Sequence, residues 1–464
     1  MMHKAFSALL SWVFARYPVE KPWNEHMAQY YTPKNLNFWY YFGSLSILVL
    51  VIQIVTGIWL TMFYKPDAEL AFASIEFIMR DVEWGWFIRY MHTVGASAFF
   101  IIIYLHMFKA LLYGSYKEPR ELLWINGVLI YLVLMGIAFT GYMLPWGQMS
   151  YWGAQVIVNL FQTIPIIGPD LVIWIRGDFL ISDATLTRFY ALHIVALPLV
   201  LFLLVFMHIV ALHAVGSNNP DGVEIKEKKD KTGKPLDGIP FHPYFTVKDL
   251  VGFGVFLIAF FAIIFFIPDG GGYFLEKPNY EPANPLVTPD HIAPLWFFTA
   301  WYTVLRAVPD PFLGVVAMFG AVLILFLLPW LDRNPIKSIR YRSDLHKFNI
   351  AVFAFTFLVL SYLGTQPPEP FLGEMGLRFS LVYFLFFFVI WFHSQPRSRV
   401  FSYAAFVLLV GLYTIYDYLR LETREVQLIM MSWLIPTGYL ALCLLGPLFT
   451  RLNEEKPVPD RVTS

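Results

Sequence analysis

Ten stretches of this chain are apolar over the length needed to cross a lipid bilayer. They fall near residues 38–63, 90–112, 124–144, 187–212, 247–267, 312–330, 348–364, 376–393, 399–417 and 428–449. Hydrocarbon holds no water to satisfy backbone N–H and C=O groups, so each crossing must close its own hydrogen bonds, and about 20 residues of α-helix span the ~30 Å apolar core. The expected fold is therefore an all-α integral membrane protein of about ten transmembrane helices. Composition agrees. The chain is 58% hydrophobic and 14% charged, with a mean hydropathy of +0.58, where a soluble domain carries about 25% charged residues. A net charge of zero leaves no electrostatic footprint for nucleic acid.

Most of the Lys and Arg residues fall in segments on the same side as the N-terminus, with EIKEKKDKTGKPLDG (224–238) the densest. The positive-inside rule then places both termini in the cytoplasm. The N-terminal stretch MMHKAFSALLSWVFARYPVEKPW is interrupted by Arg16 and lacks a small-residue cleavage site, so it reads as an interfacial amphipathic helix. Segment 145–185, broken by Pro145, Pro165, Gly168 and Pro169, reads as short helices lying on one surface.

Two of the spans each carry a pair of histidines. His92 and His106 are 14 residues apart on the second, and His193 and His208 are 15 apart on the fourth. At about 100° per residue the pairs close to within roughly 40° and 60°, so each faces one way, its members roughly 21–22 Å apart along the axis. The second and fourth spans run parallel, so His92 meets His193 near the outer face and His106 meets His208 near the inner face. A lone membrane histidine is commonly a packing or hydrogen-bonding residue, but four ionisable groups in matched pairs point to function. Two facing pairs can clamp two flat metallocycles, one above the other. The glycines repeat the spacing: Gly43 and Gly57 on the first span, Gly127 and Gly141 on the third, each 14 apart. Glycine lets a macrocycle approach the backbone where a Cβ would collide. The first four spans are thus expected to form a diheme four-helix bundle. With two histidines per iron no position remains for oxygen or substrate, so the haems transfer electrons. There is no C-x-x-C-H, so the haems are held non-covalently; the single cysteine, Cys443, excludes intrachain disulfides and a cysteine-ligated iron–sulfur cluster. Arg89 and Lys109 stand beside the outer and inner histidines as candidate partners of the haem propionates, or as interfacial snorkelling residues.

With RYMHTVGASAFFIIIYLHMFKALLYGSY (89–116), GYMLPWGQMSYWGA (141–154), LHAVGSNNPDG (212–222), FHPYFTVKDLVG (241–252) and PANPLVTPDHIAP (282–294), the chain closely resembles cytochrome b of the quinol–cytochrome c oxidoreductase (cytochrome bc) complex, bacterial type, over roughly residues 30–390. The resemblance implies that His92, His106, His193 and His208 are the axial ligands of two b-type haems and that the four glycines pack against them. It implies an outer quinol site at Pro294, Trp296, Phe297, Tyr302, Tyr142 and Gly153. It also implies an inner quinone site at His213, Ser217, Asp249 and Lys248. Quinol is oxidised outside, one electron passing to a Rieske-type iron–sulfur protein and on to a cytochrome c-type subunit. The other crosses through the haems to reduce quinone inside, with protons released outside and taken up inside. A homodimeric complex in a bacterial inner membrane is the implied setting.

Three departures stand out. The 15-residue spacing on the fourth span is one longer than in mitochondrial members and turns the lower ligand by about 100° unless the helix adjusts. Leu295 stands where the family usually has a quinol-binding glutamate. Glu276 and Glu281 lie in the same outer loop; either could take that role, or both could be solvated loop charges. Finally, residues 394–464 extend beyond the resemblance as two further spans joined by YLRLETREVQ (418–427). The expected division is 1–215 for the diheme bundle, 216–248 for a cytoplasmic loop, 249–393 for helices contributing the quinol site, and 394–464 for the extension. Two other readings are a cytochrome b membrane anchor of a dehydrogenase or hydrogenase, and a proton-coupled transporter whose histidines relay protons.

Overall fold

In the computed structural model, which describes residues 2–17, 20–367, 369–420 and 426–463, ten helices have the length and apolar character of membrane spans. In chain order they are Phe38–Thr61, Gly85–Tyr113, Glu121–Met143, Asp183–Val215, Phe241–Phe266, Pro311–Leu331, Asp344–Gly364, Pro370–His393, Arg399–Leu419 and Val426–Phe449. They match the ten apolar stretches one for one. Short helices occupy the segment expected to lie on a surface, at Gln148–Leu160 and Gly168–Arg176. The N-terminal helix Met2–Arg16 leaves Phe6, Leu9, Trp12 and Phe14 exposed, as an interfacial helix would. The middle of the loop joining the last two spans, 421–425, lies outside the described residues.

Packing divides the spans into two sets. The first packs along the second and the third along the fourth, and the fifth closes on the first and second. In the second half, the short helix Thr299–Ala307 sits among the sixth, seventh and eighth spans, and the third span touches the sixth. Trp124 Nε1 donates to the Leu325 carbonyl across that contact, at 2.7 Å. On the basic side a buried cluster joins the halves. Asp332, just past the sixth span, accepts from Tyr116 Oη at 2.6 Å and pairs with Lys117 at 2.9 Å and Arg342 at 3.0 Å. Burial alone would raise its carboxyl, but Arg342 and Lys117 override that and hold it far below the usual carboxylate range. Gly114, at φ +62°, ends the second span in the left-handed region, and a Cβ there would sit 2.6 Å from the Lys337 carbonyl oxygen.

The extension is fastened to the rest by charge inside the apolar layer. Arg378 of the eighth span is fully buried and pairs with Asp417 of the ninth at 2.9 Å and with Glu374, while its Nε donates to Ser432 of the tenth at 3.0 Å. Arg420 closes the network on Glu374 at 2.7 Å. The chain then returns along the basic side: Arg461 pairs with Asp237 at 2.9 Å, and the Thr463 amide donates to Asp221 at 2.8 Å. Removing one member of a buried pair leaves a desolvated charge without its counter-charge, which costs about 3–5 kcal/mol. Arg378→Met is therefore expected to lower the thermal unfolding midpoint of the detergent-solubilised protein clearly, whereas Lys347→Met, at a surface pair with Asp344, should change it little.

Candidate functional site

The four histidines come together in the two expected pairs. His92 and His193 have ring centroids 6.2 Å apart, and His106 and His208 are 6.4 Å apart, both pairs with their planes strongly crossed. Two imidazoles sharing one metal ion from opposite sides, at about 2.0–2.1 Å from nitrogen to metal and roughly 1.1 Å from nitrogen to ring centre, have centroids about 6.2–6.4 Å apart. The hydrogen bonds select the free nitrogen at the outer pair. Thr56 Oγ1 spends its proton on the Ile52 carbonyl at 2.7 Å and so accepts from His92 Nδ1–H at 2.9 Å. His193 Nδ1–H donates to the Ile137 carbonyl at 2.8 Å. Both rings are thus fixed with an Nε2 lone pair available to a metal. No group of three or more metal-binding side chains occurs among the described residues. Each histidine pair could therefore supply two protein ligands to an ion, one from either side, leaving its other positions to a non-protein group.

The glycines make this arrangement possible in a way the spacing alone does not reveal. Their missing side chains make room for the imidazoles themselves. A Cβ on Gly57 would lie 3.2 Å from His92 Cε1, one on Gly43 3.3 Å from His106 Cε1, and one on Gly127 3.5 Å from His208 Cε1, while one on Gly141 would overlap the His193 ring. Each histidine of the second span therefore lies in a notch of the first, and each of the fourth in a notch of the third.

The 15-residue spacing on the fourth span is absorbed locally. Leu192–Ala196, which contains His193, is a single π-helical turn inside the span. A π turn takes up one extra residue, and with that residue discounted the two histidine pairs share one register. Pro198 supplies a reason for its place, because proline has no N–H to donate and its ring crowds the carbonyl four residues earlier, at Ile194.

Arg89 is buried at the outer end of the second span, and no carboxylate lies within ion-pair distance of its guanidinium among the described residues. Lys109, at the inner end, stacks its ammonium 4.0 Å over the Tyr40 ring. Lys109, His106, His208, Gly43 and Gly127 line a cavity of about 430 Å³ on the inner side, and the same cavity contains His213, Ser217, Lys248 and Asp249. Two residues that sequence reasoning missed also line it, His26 and Tyr30. His26 Nδ1 is 2.9 Å from His213 Nδ1. Its only signal in the sequence is a histidine beside an aromatic pair in a short pre-span segment, which says nothing about a residue 187 positions away.

On the outer side, Tyr142 Oη donates to the Glu276 carboxylate at 2.8 Å, and Gly153 lies against the Tyr142 ring. Burial pushes the Glu276 carboxyl up to about 7, partly offset by the Tyr142 hydrogen bond. Glu281 is exposed, and its backbone carbonyl accepts from the Gln148 amide. The two loop glutamates are thus distinct, and only Glu281 is a solvated charge. Leu295 is packed in the core, and Phe297 stacks face to face on Phe100 with centroids 3.9 Å apart. Phe297 is accordingly a wall of the region, behind Trp296, whose Nε1 donates to Ser97 at 3.1 Å. Tyr302 carries the Arg306 guanidinium 4.7 Å over its ring, and Pro294 is half-buried at the start of this segment.

The sequence profile of Cytochrome b/b6/petB matches residues 27–216, and that of Cytochrome b(C-terminal)/b6/petD matches residues 282–384. Cytochrome b of Allochromatium vinosum is 60% identical over 396 residues, covering 83% of this chain and 95% of that protein. The chain belongs to the cytochrome b family. Cytochrome b of Rickettsia typhi is 49% identical, covering 84% of this chain and 94% of its own length. A solved hyperthermophilic respiratory Complex III contains a chain that aligns with a TM-score of 0.76 and 40% identity, covering 82% of this chain and 97% of that one. Cytochromes b carry two b-type haems and bind quinone, which sets aside the transporter reading. The paired imidazoles, their glycine notches and the unpaired buried cation all fit that cofactor.

The notches rank the glycines. Gly141→Ala drives a Cβ into His193 and is expected to abolish one b-type band in the reduced-minus-oxidised spectrum of membranes. Gly127→Ala, with ordinary van der Waals room, should keep both bands.

Proposed function

We propose that this chain is the redox subunit of a respiratory quinol–cytochrome c oxidoreductase in a bacterial inner membrane, with both termini cytoplasmic. It oxidises quinol at an outer site and reduces quinone at an inner one, so that the cycle moves protons outward. The observation that carries this reading is the pair of His–His gaps, 6.2 and 6.4 Å between centroids, set one above the other along the second and fourth spans. His92 with His193 and His106 with His208 are the axial ligands, Gly43, Gly57, Gly127 and Gly141 make the room, and Arg89 and Lys109 hold the propionates. Bound there, the haems supply a one-electron relay between the two faces.

The outer site is built from Tyr142, Gly153, Pro294, Trp296, Phe297 and Tyr302, an aromatic slot for a flat ring. Glu276 takes the role left empty at Leu295. Its carboxylate, already hydrogen-bonded to Tyr142, accepts a proton from the quinol hydroxyl and, titrating near neutrality, can hand it on to water. One electron leaves to a Rieske-type iron–sulfur protein and a cytochrome c-type subunit. At the inner site His213, Ser217, Lys248 and Asp249 surround the quinone and supply hydrogen bonds and protons. A homodimer of the complex is the expected assembly, and residues 1–215, 216–248, 249–393 and 394–464 are its haem bundle, inner loop, quinol-site helices and extension.

Steady-state oxidation of a short-chain quinol by the intact complex tests the outer site. A general base is effective only when deprotonated, so the wild-type rate should fall as pH drops through about 7. Glu276→Gln should lower turnover by about 10²-fold and remove that inflection, while Glu281→Gln leaves both unchanged. Wild-type turnover in Glu276→Gln would exclude this assignment.

A further inference from the structure

The inner cavity contains a contact that the quinone-site residues do not require. His26, in the turn Asn24–Ala28 ahead of the first span, stacks on His213 with ring centroids 5.0 Å apart and planes 20° from parallel. The two Nδ1 atoms are 2.9 Å apart, a distance at which one of them carries the hydrogen and the other accepts it. His26 is exposed and His213 half-buried, so the pair spans from water to the cavity wall. The segment carrying His26 is tied down on both sides. Trp23 meets His242 edge-on at 5.0 Å, and Tyr31–Pro33 pairs as a strand with Gly238–Pro240. Tyr30 also packs on His213, with ring centroids 4.5 Å apart.

Resting on the inner-site reading above, we propose that His26 is the solvent-side half of a two-histidine proton conduit that supplies the quinone reduced in the inner cavity. His26 Nε2 takes a proton from water, the Nδ1 proton crosses to Nδ1 of His213, and His213 releases its Nε2 proton to a quinone oxygen. Each passage moves one proton and no electron; proton exchange between each ring and water, off one nitrogen and onto the other, restores the starting tautomers. Two passages, with the two electrons that the redox relay delivers, convert one quinone to quinol. The hydrogen bond admits one Nδ1 proton at a time, since two N–H groups would face each other. The charged and titratable groups around the pair are Lys226, whose Nζ donates to the His213 carbonyl at 3.3 Å and to that of Ala214 at 2.9 Å, and Lys248, Asp249, Arg120 and Tyr30 on the cavity wall. His26 acts through His213 and does not itself touch the quinone.

The test uses the intact complex in membranes, with the outer site blocked by inhibitor, and follows b-haem reduction by a short-chain quinol through the inner site, the reverse of the same proton route. His26→Ala should slow this reduction by about 10²-fold, the low end for a positioned proton-transfer group, and added imidazole should restore it where sodium chloride of equal ionic strength does not. His26→Gln keeps a hydrogen-bonding partner for His213 but cannot relay a proton, and should be as slow as the alanine variant. Wild-type rates in His26→Gln, or a slow His26→Ala that imidazole leaves slow, would overturn the conduit. His213→Gln separates the two levels. If it runs at the wild-type rate, the inner-site reading itself fails; if it is slow while His26→Ala is not, only the conduit fails.

Discussion

Imidazole rings seated in glycine notches govern the N-terminal half of this protein. A helix pair can approach closely enough to bury a histidine against its neighbour's backbone only where the neighbour has no side chain. Gly57, Gly43, Gly141 and Gly127 provide that at four levels. The notches fix the rings from behind, while Thr56 and the Ile137 carbonyl fix the Nδ1 protons of the outer pair. What is left is a row of gaps whose width matches an iron coordinated from both sides, in a four-helix bundle that is otherwise held by apolar contacts. Of the ten spans, the fourth buries the least of its surface against the rest of the chain.

The two ends of that row differ in the way their chemistry demands. The outer end has a buried carboxylate and a phenol in contact, Glu276 and Tyr142, in an environment that keeps the acid near its titration point at neutral pH. Such an environment suits the proton-accepting role proposed for Glu276. The inner end is a cavity lined by Lys109, Arg120 and Lys248 together with His26 and His213. In the other half of the chain Arg378, Glu374, Asp417 and Arg420 are joined in one buried network. These hold the two additional spans to the eighth without exposing an unpaired charge to lipid.

Much of this was legible in the sequence because it is periodic and local. Spans follow from apolar length, and the histidine and glycine spacings follow from 3.6 residues per turn. The π turn at Leu192–Ala196 was half visible: the extra residue required a distortion, but spacing does not say which turn yields. His26, the contact that singles out Glu276 from Glu281, and the pairing of Arg378 with Asp417 were hidden for a different reason. Each is defined by a contact between residues far apart in sequence, 187 positions for His26 and His213 and 134 for Tyr142 and Glu276, which no local pattern encodes. Phe297 shows the converse, a motif residue whose position was legible while its burial against Phe100 was not.

The central claim is that two irons are each held by two histidines and by nothing exchangeable. An anaerobic optical redox titration of the intact complex, repeated under carbon monoxide, tests it most directly. Two one-electron b-type transitions of different midpoint potential, unchanged by carbon monoxide, are the predicted result. A single transition, or spectra that shift when carbon monoxide binds the reduced iron, would contradict the account.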